Sequence, residues 1–219
     1  TLNWQLYSYD LDTHATFHAV RKACEPTHIQ YDHPPATITV INTTLNPLKS
    51  LKATATVHAL DGKPLASTTT NLDISANCAI TLGKAPTPPS TNTTVWLLRL
   101  ELRADTLLSR NDYWLATRPE LLQSLDTLPR VSLKGQTETR GKWITVKLQN
   151  PSLTPAIMIR LTLRDPKTGT RILPAYYSDN YFNLLPGEPR IITIEAPKPS
   201  PDPPQVTAHG WNITPTTIR

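Results

Sequence analysis

A chain of 219 residues with 22 prolines against 7 glycines, and rich in threonine, has the composition of strands and stiff loops rather than of a helical protein. Its 22 Lys and Arg against 17 Asp and Glu leave a formal charge of +5, but the cations are scattered with no dense basic run, which speaks for solvated surface and against a nucleic-acid face. No run of roughly 18 apolar residues occurs, so no helical membrane span is expected, and the length suits one large domain or two of about 100 residues.

Residues 1–25 differ from everything after them. Trp4, Tyr7 and Leu11 recur at i, i+3, i+7, and so do Phe17, Val20 and Cys24. Asp12 or Thr13 is placed to cap a helix from about His14 to Cys24, which Pro26 stops. Its apolar stripe needs a surface to bury against. Two readings stand: a tail packed on its own domain, or the closing helical segment of a domain outside this sequence. The chain starts at Thr1, without initiator Met or signal peptide, and reads as a processed product or a fragment.

From Thr27 the period becomes two. Ile38 and Val40 alternate with Thr37 and Thr39, and Ala53, Ala55, Val57 and Ala59 with Thr54, Thr56 and His58. Asp61-Gly62 marks a hairpin turn. Trp96, Leu98, Leu100 and Leu102 form one strand face and Arg99, Glu101 and Arg103 the other. This alternation fits antiparallel strands with one wet face. Residues 84–94 form a proline-rich loop, and residues 107–116, LLSRNDYWLA, close the region with an aromatic strand. Residues 118–129, RPELLQSLDTLP, read as a linker with one helical turn.

A second period-two region follows. Ile144, Val146 and Leu148 oppose Thr145, Lys147 and Gln149; Ile157, Ile159, Leu161 and Leu163 oppose Met158, Arg160, Thr162 and Arg164. An aromatic and polar knot, Tyr176-Tyr177-Ser178-Asp179-Asn180-Tyr181-Phe182, leads to Pro186-Gly187-Glu188. There Pro presets φ and Gly accepts the positive φ of a type II turn. Strands at residues 191–194 and 206–208 complete the region, joined by a proline-rich connection at 198–204. The two regions repeat. Thr37-Ile-Thr-Val, a polar turn and Asp61-Gly-Lys match Trp143-Ile-Thr-Val, the Asn150-Pro turn and Asp165-Pro-Lys, at an offset of about one immunoglobulin-like sandwich. The expected fold is all-β: two tandem antiparallel sandwiches, residues 26–117 and 130–219, joined by 118–129 and preceded by a short helical tail, 1–25.

The search for chemistry is mostly negative. A glycosidase needs two facing carboxyl groups, roughly 5 Å apart for retention or 6.5–9.5 Å for inversion. Asp10 and Asp12 would diverge on a helix, and nothing places Asp179 beside Glu188. Asp179 is expected to bond nearby backbone amides. His14 and His18 have the spacing of a two-His metal face but lack a third ligand, and read as surface or interface side chains. Cys24 and Cys78 do not fit an inter-sheet bridge and read as free buried thiols, Cys24 in a seam. Trp96 and Trp143 read as core; Tyr113 and Trp114 point to opposite faces. Tyr176, Tyr177, Tyr181 and Phe182 form the best aromatic cluster. It either fills the bottom of the last sandwich or lends one or two rings to a sugar site. Sequons stand at Asn42, Asn92 and Asn212. No catalytic pair, metal site or cofactor is expected in this chain.

The segments WQLYSYDL, ATFHAVRKACEPTHIQY, LLSRNDYWLA, RILPAYYSDNYFNLLPGEP and GWNIT, in this order, resemble family 2 glycoside hydrolases of the exo-β-D-glucosaminidase, β-mannosidase and endo-β-mannosidase kind. The match departs from the family at Thr13-His14 and at His18. The resemblance implies that residues 1–25 end a (β/α)8 catalytic barrel and that the rest are the enzyme's C-terminal immunoglobulin-like domains. It also implies that both catalytic glutamates lie on barrel strands before residue 1. Implied partners are the barrel and N-terminal domains of the same enzyme and a carbohydrate substrate, with neither nucleic acid nor membrane, and export to the periplasm or cell exterior. Tyr176, Tyr177, Asp179, Asn180 and Tyr181 are the candidate substrate-rim or interface residues. The rival readings are an autonomous carbohydrate-binding module, which needs a row of exposed aromatics on one sheet face, and an adhesion-type sandwich pair.

Overall fold

The computed structural model describes residues 6–196 and 203–218 and divides the chain into two compact units, one of residues 23–127 and one of residues 1–22 with 128–219. Trp4 and most of the 198–204 connection lie outside the described residues.

In the first unit, strands β1 (Thr27–Asp32), β2 (Thr37–Asn42) and β5 (Cys78–Lys84) form a sheet in the order β1-β2-β5. Strands β3 (Leu48–His58), β4 (Pro64–Ile74), β6 (Val95–Arg103) and β7 (Leu107–Ala116) form another in the order β4-β3-β6-β7. The inward halves of the alternating strands meet as Ile29, Val40, Val57, Leu98, Leu100 and Leu102, all fully buried. Gly62, at φ 83°, turns the β3–β4 hairpin where Asp61-Gly62 marks it. Two bonds tie β1 to β7: the Tyr31 amide donates to the Tyr113 hydroxyl at 3.2 Å, and Asn111 Nδ2 to the Ile29 carbonyl at 2.7 Å.

Strand β6 is buried on both faces. Its outer residues Leu97 and Arg99 are covered because residues 118–129 do more than link. Pro119–Thr127 is a 3-10 helix whose partly buried Leu121, Leu122 and Leu125 belong to a segment packed on β6 and β7. Arg99 is buried there with its charge met by Asp112, which accepts two of its bonds, at 2.8 and 2.9 Å.

In the second unit, β8 (Lys134–Arg140), β9 (Trp143–Gln149), β11 (Tyr176–Tyr177) and β13 (Pro189–Glu195) form a sheet in the order β11-β13-β9-β8. Strands β10 (Ala156–Arg164), β12 (Phe182–Leu184), β14 (Gln205–His209) and β15 (Thr216–Ile218) form the facing sheet, β12-β10-β14-β15. Ile144, Val146, Ile159, Leu161, Leu163 and Ile194 lie at its centre. Gly187, at φ 74°, and Pro186 make the expected turn, closed by the Glu188 amide on the Leu185 carbonyl at 3.0 Å. Among the described residues, no core residue is shared between the two clusters.

The internal repeat extends to hydrogen bonds. Asn42 and Asn150, both 0% exposed, end β2 and β9. Asn42 Nδ2 donates to the carbonyls of Asn46 and Ser75, at 2.9 and 3.0 Å, while its Oδ1 accepts the Thr44 amide and hydroxyl. Asn150 does the same with Thr154 and Leu184, at 2.8 and 3.0 Å, and with Ser152. Each asparagine thereby satisfies backbone groups that the turn leaves without strand partners.

Several expectations are corrected. The tail helix, α1, is Ala15–Ala23, and neither Asp12 nor Thr13 caps it; the Phe17 amide bonds the His14 carbonyl instead. Tyr7 and Leu11 are exposed and not helical: Ser8 to Asp12 is a turn with Leu11 at φ 65°. Val20 and Cys24 are exposed too, and the buried face of α1 is that of His18. Cys24 and Cys78 are free, but neither is buried, since the helix turns Cys24 to the surface and Cys78 begins a strand at intermediate depth. Trp143 is not core. Inward Ile144, Val146 and Leu148 force the odd-numbered residues of β9 outward.

Candidate functional site

The knot at 176–182 and the N-terminal segment meet within the second unit. Strand β11 sends its two tyrosines to opposite faces. Tyr177 is buried, its hydroxyl accepts the Leu163 amide at 2.9 Å, and burial pushes its pKa up to about 12. Tyr176 is 58% exposed. The chain then leaves β11, and Asn180 fills the gap on β10: its Oδ1 accepts the Leu161 amide at 2.7 Å and its Nδ2 donates to the Leu161 carbonyl at 3.0 Å. A side-chain amide can replace a strand residue here because it offers one donor and one acceptor at peptide geometry. Asp179 accepts the Asn180 amide at 2.9 Å and a bond from Arg190, whose guanidinium lies 4.6 Å from the Phe182 ring centre. Asp179 and Asn180 are thus fixed by backbone bonds, as expected of Asp179. Glu188 is occupied by the Leu185 amide, at 2.9 Å. Tyr181 sits at φ 58°, half-buried, between His18 and Arg160.

The N-terminal segment grips this knot through charge. Arg21 donates to the carbonyls of Tyr177 and Ser178, at 2.8 and 2.5 Å. Asp12 Oδ2 accepts Arg160 and Arg171, both at 2.5 Å, and the other arm of Arg171 reaches Asp10 at 2.7 Å. Asp10 and Asp12 do face one another's partner, contrary to the helical expectation, because they stand in a turn rather than on a helix. The Ser8 hydroxyl, the Asp12 amide and Arg171 hold the Asp10 carboxyl below its usual range, against the opposing effect of desolvation. The lowered Asp10 is the opposite of what a glycosidase acid needs, which is a raised pKa.

His18 is 5% exposed, so of the surface and interface readings the surface one does not hold for it. Its Nε2 lies 3.3 Å from the Thr13 hydroxyl, and desolvation, with Arg21 nearby, drives its pKa down to about 4 despite Asp179. It is a neutral packing group at pH 7. His14 is exposed one turn earlier. Among the described residues no group of three or more His, Cys, Asp or Glu side chains gathers as metal ligands.

Sequence reasoning had singled out the knot. It missed Arg21, Arg160 and Arg171, whose partners lie about 150 residues away and leave no local pattern.

Residues 111–213 match the family model of the exo-β-D-glucosaminidase Ig-fold domain, and residues 35–117 that of the mannosidase Ig/CBM-like domain. An exo-β-D-glucosaminidase of Streptomyces avermitilis is 28% identical over 100% of this chain and 27% of its own length. The crystal structure of an exo-chitosanase from Amycolatopsis orientalis superposes with a TM-score of 0.86 at 27% identity, covering 98% of this chain and 29% of that one. A β-D-mannosidase from Dictyoglomus thermophilum shares the fold, with a TM-score of 0.72 at 18% identity over 96% of this chain and 24% of its own. The chain therefore spans about a quarter of the length of the relatives it matches.

Proposed function

Given that the chain is built of the immunoglobulin-like domains of exo-β-D-glucosaminidase-type family 2 glycoside hydrolases, we propose that it is the non-catalytic β-sandwich portion of such an enzyme. It packs on the catalytic barrel and helps shape a cleft that hydrolyses β-linked glucosamine or mannose. The observation that carries this reading is the N-terminal segment. Residues 6–23 fold outside both sandwich cores and are locked to the second unit by Asp10, Asp12 and Arg21. They nevertheless leave Tyr7, Tyr9, Leu11 and Val20 exposed, with Tyr9 at 99%. Four large apolar side chains on one short segment form a surface that another body covers. The arginine clamp orients that surface; the barrel supplies the chemistry.

The test is reconstitution. The barrel of a matching enzyme, produced separately, should hydrolyse p-nitrophenyl glucosaminide or mannoside poorly alone and regain activity when this chain is added. A Tyr9→Ser/Leu11→Ser variant should restore less. No association between the two pieces, by gel filtration at micromolar concentration, would contradict the reading.

A further inference from the structure

The outer face of the sheet β11-β13-β9-β8 carries a row of aromatic and charged side chains. Arg140 on β8 lies directly opposite Trp143 on β9, Trp143 opposite Glu195 on β13, and Glu195 opposite Tyr176 on β11. Directly opposed residues of antiparallel strands share a face. The next residues along, Ile144, Ile194 and Tyr177, are buried, so the row faces out. Trp143 is 46% exposed and Tyr176 58%. With one strand between them and strands about 4.8 Å apart, the two aromatic positions stand about 10 Å apart on a flat surface.

The polar groups of the row are matched. Lys142 Nζ lies 5.2 Å from the Trp143 ring centre and 2.5 Å from Glu195 Oε1, and Arg140 pairs with Glu138 at 2.6 Å. These two cations and two carboxylates pair with one another, while Lys147 and Lys134, at outward positions further along β9 and β8, leave the face as a whole positive. Thr145 and Thr193, two residues further along β9 and β13, add hydroxyls to the same face.

We propose that this face binds an extended β-1,4-linked glycan. The pyranose rings of such a chain present apolar C–H faces that stack on the negative faces of aromatic rings. Its two-fold twist turns the same ring face down at every second sugar, and one disaccharide repeat is comparable to the Trp143–Tyr176 separation. Glu195, Lys142 and Arg140, between and beside the rings, offer hydrogen bonds to sugar hydroxyls. The cations beside the two rings, Lys142 and Arg140, are each paired with a carboxylate, which suits a chain recognised by stacking and hydrogen bonds rather than by charge. The inference goes beyond barrel support and does not depend on it, because the row is complete within the second unit.

The 219-residue chain is run on native gels containing soluble mannan, glucomannan, partly acetylated chitosan or an α-1,4-glucan. Retardation is expected on at least one of the β-linked polymers, persisting at high salt, and not on the α-glucan. Trp143→Ala and Tyr176→Ala should each weaken retention about tenfold, since losing one stacked ring removes roughly 1.4 kcal/mol. Trp211→Ala, which removes another exposed aromatic, should retain full binding. Both platform side chains are exposed, so unchanged circular dichroism is expected. No retardation on any β-linked polymer would overturn the proposal. So would equal retention of the Trp143 and Tyr176 variants, retention on chitosan alone that disappears with salt, or equal retention on the α-glucan. Because no barrel is present, failure of barrel reconstitution leaves this result untouched.

Discussion

Arg171 Nη1 donates to Asp12 Oδ2 at 2.5 Å, joining side chains 159 positions apart. Arg160 meets the same carboxylate oxygen, and Asp12's side chain is only 11% exposed. The segment that enters the first sandwich is therefore part of the second, and the first sandwich is inserted between the two pieces of one folding unit. Asp12→Asn takes the carboxylate from Arg160 and leaves Arg171 with Asp10 alone, and should destabilise this unit by about 2 kcal/mol. A double-mutant cycle with Arg171→Gln, read by urea unfolding, should show coupling of about 1 kcal/mol or more. Strict additivity would mean that the contact is incidental.

Stability of the same unit should fall with acidification. The folded-state pKa of His18 is about 4, below its ordinary 6.5, so the unfolded chain binds this proton more tightly. The contribution is complete above pH 6.5 and is lost as pH drops toward 4. After allowance for solvent screening it amounts to about 2 kcal/mol. Asp10, whose folded pKa is lowered below 3.8, adds a separate loss only at more acidic pH. Urea midpoints measured between pH 7 and pH 4.5 should decline, and His18→Gln should flatten that decline. An equally steep fall in the variant would place the titration elsewhere.

The two turn asparagines make matched predictions. Asn42→Ala and Asn150→Ala each remove two side-chain donations to backbone carbonyls, the Leu184 carbonyl being the buried one, and should each cost about 1–2 kcal/mol. Hydrogen exchange should show the loss in the first unit for Asn42 and in the second for Asn150. A neutral effect at either site would deny the equivalence of the two turns.

Burial also sorts the three sequons. Asn42 and Asn212 are 0% and 2% exposed, and their amide nitrogens are already committed to carbonyls; Asn92 is exposed in its loop. Passage through a eukaryotic secretory pathway should therefore add one glycan at most, removed entirely by Asn92→Gln. Mass spectrometry reads this directly, and a glycan at Asn42 or Asn212 would require that site to unfold first.

Strands with an apolar inward half were legible from period-two alternation alone: β3, β6, β9 and β10 are where it put them. Strands β4, PLASTTTNLDI, and β8, KGQTETR, were not, because both are sheet-edge strands with mostly exposed side chains and so no apolar half to read. The outward position of Trp143 is legible in its parity with Thr145 and Lys147, since register rather than side-chain size decides the face. The knot's aromatics were visible as a cluster, but their division into buried Tyr177 and exposed Tyr176 follows from strand pairing with β13. The arginine clamp had no sequence signature, since ion pairs over such separations follow from the fold rather than from local pattern.

The measurement that bears most directly on the non-catalytic reading is hydrolysis of p-nitrophenyl β-D-glucosaminide and β-D-mannoside by this chain alone, at micromolar protein and over hours. No release of p-nitrophenol above the buffer rate is predicted, because the carboxylates brought together in the candidate site, Asp10 and Asp12, are engaged by Arg160 and Arg171 rather than facing an open cleft as an acid and a nucleophile. Turnover that survives repurification and disappears in Asp10→Asn or Asp12→Asn would contradict the account.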